Sequence, residues 1–81
     1  MKKVTVRIDG MRCGMCEAHI CDAVRRAQPD AKKVKASRRR GTATFLCEYP
    51  NERALRRAIN DTGYVFLSLS TEEYKKRGLF G

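Results

Sequence analysis

Val4-Thr5-Val6-Arg7-Ile8-Asp9-Gly10-Met11-Arg12-Cys13-Gly14-Met15-Cys16 is the stretch on which the reading of this chain turns. In its first half Val4, Val6 and Ile8 alternate with Thr5, Arg7 and Asp9, the period of a strand with one buried face. In its second half two thiols stand three residues apart. From Cys16 onward Ile20, Val24 and Ala27 recur at helical spacing, joined by Ala23, until Pro29 stops the pattern. The cysteine pair therefore sits where a strand gives way to a helix.

That position suits a soft metal ion. The unpaired N–H groups and positive dipole end of a helix start favour thiolate over thiol, and only the thiolate ligates. Two thiolates with no obvious third and fourth partner suit an ion of low coordination number such as Cu(I), whereas structural zinc takes four ligands. Arg12 cannot ligate. Its charge opposes a divalent ion more than a monovalent one and offsets part of the negative charge of a bis-thiolate Cu(I) complex.

Outward from this run, Lys32–Ala36 reads as a short strand, and in Thr42–Tyr49 the residues Ala43, Phe45, Cys47 and Tyr49 fall on one side. Ser37–Gly41 is the hairpin loop between them. Asn51 is the expected N-cap of a second helix over Glu52–Asp61, with Leu55, Ala58 and Ile59 as its apolar stripe and Gly63 as its stop. Val65, Leu67 and Leu69 then alternate with Phe66, Ser68 and Ser70 in a last strand.

The order strand, helix, strand, strand, helix, strand predicts an α+β, ferredoxin-like sandwich: a four-stranded antiparallel sheet with two helices on one face. In that topology the first strand runs up to the cysteines, the first helix returns, and the hairpin turns over at the cysteine end. Arg38, Arg39 and Arg40 are expected there, placed to steer an acidic partner. Residues 1–70 form the domain. Residues 71–81 form a tail, in which Ser70 and Glu73 resemble a capping box and predict a short helix.

The 81 residues make one domain with a modest core, too small for an enclosed enzyme cleft beside a second domain. No catalytic constellation stands out, and the reading is of a protein that is not an enzyme. Lys2 and Lys3 precede no apolar signal region and no run is long enough to span a bilayer, so the expected address is the cytoplasm, with thiols reduced. Eighteen Lys and Arg against nine Asp and Glu give a net charge of +9, concentrated in residues 25–40. Such charge attracts acidic protein surfaces, nucleic acid or anionic membranes alike.

Gly10, Met11, Cys13 and Cys16 spell Gly-Met-x-Cys-x-x-Cys, and here the chain resembles the heavy-metal-associated domain family over about residues 3–70. That family includes small copper chaperones, metal-binding domains of metal-transporting ATPases and mercury-binding relatives. The resemblance implies Cys13 and Cys16 as ligands, Met11 as buried support beneath the loop, and Cu(I) as cargo ahead of Hg(II) or Zn(II). Asp61-Thr62-Gly63-Tyr64 resembles the loop in which bacterial-type chaperones place a tyrosine beside the metal, which carries Tyr64 into the site. The partner implied is an acidic-surfaced metal-ATPase domain or another metal acceptor, met by a monomer or a metal-bridged dimer. A metal-binding domain of a larger transporter or sensor carries the same motif.

Other readings compete at single residues. Cys-x-x-Cys also serves as a redox dithiol, but thioredoxin-like chains need a larger α/β body. Cys21 and Cys47 fall in phase with apolar stripes and read as packing residues. His19, three residues after Cys16, is within reach of the metal but reads first as a solvent-facing or locally hydrogen-bonded side chain. Met15 reads as a docking contact more than a thioether ligand. A basic ferredoxin-like module could bind RNA, but that mode stacks bases on aromatics of the central strands, and here Phe45 and Tyr49 fall on the inferred core side.

Overall fold

The computed structural model describes residues 1–12 and 14–74. Along the chain come β1 (Lys2–Asp9), α1 (Gly14–Ala27), β2 (Lys32–Ser37), β3 (Thr42–Cys47), α2 (Glu52–Asp61) and β4 (Val65–Glu73). The strands form one antiparallel sheet in the order β2-β3-β1-β4. This is the ferredoxin-like sandwich, with both helices packed on one face of the sheet.

The period of β1 decides the core. Val4, Val6 and Ile8 are buried against Ile20, Ala23 and Val24 of α1, Leu55 and Ile59 of α2, and Ala43, Phe45 and Cys47 of β3. Each large aliphatic side chain buried in this way contributes about 1.5–3 kcal/mol. Asn51 caps α2, its Oδ1 accepting a 3.1 Å hydrogen bond from the Ala54 N–H. Farther along α2 the Arg56 guanidinium lies 4.7 Å from the centre of the Phe66 ring and is held by Glu52 at 3.1 Å.

The phase of β4 differs from the sequence expectation. Phe66 is buried, Val65 and Leu67 are half exposed, and Leu69 packs against the core. The cause is a bulge: Ile8 pairs with Phe66 but Arg7 pairs with Ser68, so Leu67 is an extra residue in β4. Phe66 and Leu69, three apart, therefore share the inner face.

Two further expectations are corrected. Tyr49 is 84% exposed and does not join the core side of β3, because the strand ends at Cys47 and the chain bends toward Pro50. Ser70–Glu73 starts no helix. These residues extend β4 and pair with Thr5, Val4, Lys3 and Lys2, since β1 offers them a complete row of backbone partners. Beyond Tyr74, whose N–H donates to the Met1 carbonyl at 3.1 Å, residues 75–81 of the tail lie outside the described residues. Among the described residues no helix is long and apolar enough to cross a membrane.

At the end where α1 finishes, Gln28 is buried and every polar atom of its amide is used. Its Nε2 donates to Asp30 Oδ1 at 2.8 Å and to the Tyr49 carbonyl at 3.1 Å, and its Oε1 accepts from the Asn51 N–H at 2.9 Å. One side chain thus ties the end of α1 to the start of α2.

Candidate metal site

The site is built on the junction between β1 and α1. Gly10 has φ +105, a backbone conformation that calls for glycine, and a Cβ there would touch Tyr64 Cδ1 at 3.4 Å. Met11 is buried and joins the core beneath the loop. Arg12, Gly14 and Met15 are exposed, Met15 at 68%. Cys16 lies in the first turn of α1, half-buried and packed against the core. Cys13 lies outside the described residues.

The hairpin between β2 and β3 arrives at the same end. The Arg38 backbone N–H donates to Glu17 Oε2 at 2.7 Å, and Arg38 Nη1 is 3.6 Å from the point a Cβ on Gly14 would occupy. Within the hairpin the Gly41 N–H donates to the Ser37 carbonyl and the Arg40 N–H to Ser37 Oγ. The Ile8 N–H donates at 2.7 Å to the Gly41 carbonyl, linking the end of β1 to the turn. Gly41 has φ +65, and a Cβ there would come within 3.0 Å of the Ile8 carbonyl oxygen. Arg38, Arg39 and Arg40 are all exposed.

The loop after α2 completes the surface. Tyr64 packs against the core beside Gly10, and its hydroxyl lies 3.4 Å from His19 Nδ1. His19 therefore leans on the tyrosine from one turn beyond Cys16. The structure brings Met11, Cys16, His19, Arg38 and Tyr64 to one end of the sandwich. Glu17 was missed by sequence reasoning, and no local pattern marks its bond to a hairpin 21 residues away.

The other cysteines behave as packing residues. Cys47 is fully buried, and burial pushes its thiol pKa up. Burial also raises that of Cys21, with Arg25 pulling the other way. Raised values keep both thiols protonated and poorly suited to ligation. Among the described residues, no three of His, Cys, Asp and Glu gather to hold an ion.

No family model matches the sequence, and no curated protein does either. Solved structures do match in shape. The CopZ metallochaperone superposes with a TM-score of 0.70 at 18% identity, over 80% of this chain and 98% of that one. The fold is that of the heavy-metal-associated domains. The yeast copper transporter domain Ccc2a, solved in apo and Cu(I)-loaded states, gives a TM-score of 0.70 at 18% identity, over 90% of this chain and 97% of its own. Oxidized MerP from Ralstonia metallidurans CH34 gives 0.68 at 21% identity, over 90% and 100%. At these identities the likeness is one of fold. The heavy-metal-associated fold sets where loops meet, and the residues on those loops must supply the chemistry.

Proposed function

We propose that this chain binds a soft metal ion, Cu(I), between the thiolates of Cys13 and Cys16 and passes it to an acceptor protein. The observation that carries the reading is Gly-Met-x-Cys-x-x-Cys at the β1–α1 junction of a heavy-metal-associated fold, with Cys16 in the first helical turn. Cys16 lies in the first helical turn beside the exposed Gly14 and Met15, so an ion held there stays at the surface. A thiolate of the acceptor can then attack it. Transfer runs through a three-coordinate ion shared by both proteins, with ligands exchanged one at a time and no covalent bond of the chain broken.

Charge supports the same reading. Two thiolates and one Cu(I) carry a net charge of −1, which the Arg12 and Arg38 guanidiniums in this region offset, while a divalent ion would meet their repulsion. Zn(II) ranks behind Cu(I) on this ground and on ligand number, and Hg(II) on this ground. The chain catalyses no reaction. It acts in the cytoplasm with reduced thiols, as a monomer that a metal ion can bridge into a dimer, and its acceptor is an acidic-surfaced domain such as that of a metal ATPase. Tyr64 and His19 line the site without ligating, and Met15 meets the acceptor.

Anaerobic competition of the reduced protein against a Cu(I) chelator and, in parallel, a Zn(II) chelator tests this. The expected outcome is one Cu(I) per chain held against the first chelator and no Zn(II) held against the second. Retention of Zn(II) alone would overturn the assignment.

A further inference from the structure

The sheet face turned away from the helices carries charge that the metal site leaves unused. Because Val4, Val6 and Ile8 point into the core, Lys3, Thr5 and Arg7 point to the other side. Pairing places Lys35 and Thr44 in one row with Thr5 and Ser70, and Thr42 in the next row with Arg7 and Ser68. Lys33, with φ 53, sits where β2 carries one residue more than β3, and its ammonium lies 6.0 Å from the centre of the Tyr74 ring. Tyr74, Leu46, Lys3 and Lys33 border a groove of about 190 Å³.

These cations are not spent on ion pairs. Among the described residues none of Lys3, Arg7, Lys33 and Lys35 has a carboxylate within 4.0 Å, whereas on the helices Arg25 meets Asp22 and Arg56 meets Glu52. The acids on the open face are Glu72, opposite Lys3 on the outermost strand, and Asp9 at the end of β1.

We propose that this open face binds single-stranded nucleic acid through its phosphate backbone, without sequence preference, and that Tyr74 receives one base at its end. Ammonium, guanidinium and hydroxyl groups are the donors that phosphate oxygens take, and here they alternate across neighbouring strands. Lys3 and Arg7 are four strand residues apart, about 13 Å, so the occupant is an extended polyanion with several charges. Among the described residues the exposed aliphatic side chain at this end is Met1, at 36%, whereas Val65 and Leu67 lie at the opposite end of β4 from Glu72, so a membrane surface gains little by insertion here. An acidic protein would match the charge but would have no base for the Tyr74 ring to stack on. This mode differs from base reading by aromatics of the central strands, since Phe45 is in the core.

Fluorescence polarisation of labelled dT12 and U12 with the full chain, over a range of salt, tests the proposal. Both oligonucleotides should bind at low salt, with log K falling against log salt at a slope of about −3 if four phosphates are contacted. Lys3→Glu with Lys35→Glu should lower affinity about tenfold or more while circular dichroism stays unchanged. Tyr74→Ala should weaken binding and leave the slope in place. Changing Cys13 and Cys16 to Ser should leave oligonucleotide binding intact, so this result and that of the metal competition are independent. The proposal is overturned if neither oligonucleotide binds at low salt, if the double Glu variant binds like wild type, or if phosphatidylserine vesicles or polyglutamate bind more tightly than dT12.

Discussion

The Arg38 backbone N–H is hydrogen-bonded at 2.7 Å to the carboxylate of Glu17, the residue directly after Cys16. The arginine hairpin is thereby fastened to the first turn of the helix that carries a candidate ligand. Replacing Glu17 with Ala should free the hairpin at a cost of about 0.5–1.5 kcal/mol in stability. The measurement is amide hydrogen exchange: the Arg38 amide should exchange faster, with amides of β1 and β3 unchanged. Unaltered protection at Arg38 would show that the bond does not hold the hairpin.

Cys13→Ser or Cys16→Ser should each abolish tight one-to-one Cu(I) binding and leave the fold in place, because a single thiolate cannot hold the ion against a chelator. Competition titration reads the affinity and circular dichroism the fold. Wild-type affinity in either variant would rule out the two-thiolate site.

Replacing Arg38, Arg39 and Arg40 together with Ser should slow metal transfer to an acidic acceptor domain. The field of these side chains reaches about 10 Å at 0.1 M salt, so the difference from wild type should shrink as salt rises. Equal transfer rates at low salt would mean the hairpin takes no part in encounter.

His19→Ala should change Cu(I) affinity little, since His19 leans on the Tyr64 hydroxyl instead of completing a ligand set. X-ray absorption of the Cu(I) form should show sulfur neighbours alone. A nitrogen neighbour that vanished in the variant would make His19 a ligand.

Gln28→Ala should cost about 1–2 kcal/mol, because the Tyr49 carbonyl and the Asn51 N–H lose a partner at a part-buried junction. The same side chain governs an acid response. Its hydrogen bond is the largest cause holding the Asp30 carboxyl below its ordinary pKa, with backbone N–H groups adding to it and desolvation opposing. A folded value below the unfolded one means that Asp30 contributes stability above the ordinary carboxylate range and loses it as pH falls through the folded value. Urea denaturation at about pH 6 and about pH 3 should therefore show a steeper loss for wild type than for Asp30→Asn. Parallel losses would remove Asp30 from the account.

What the sequence made legible was periodic or local. Val4, Val6 and Ile8 announced β1, and Asn51 announced the start of α2 with the right cap. The β4 phase was not legible, because an extra Leu67 shows only when Arg7 and Ile8 are matched across the ladder. Tyr49 looked like a continuation of Phe45 and Cys47, since alternation does not record where a strand ends. Gln28 carried no sequence signal, because its partners Tyr49 and Asn51 lie 21 and 23 residues along the chain. The gathering of Cys16, Arg38 and Tyr64 at one end followed from topology, but the Glu17 bond did not.

Both outer strands of the sheet are irregular, β4 at Leu67 and β2 between Lys32 and Lys35. A strand kinked in this way is a poor template for the backbone of a second molecule. A second copy laid alongside meets a break in the edge at Leu67 on one side and between Lys32 and Lys35 on the other.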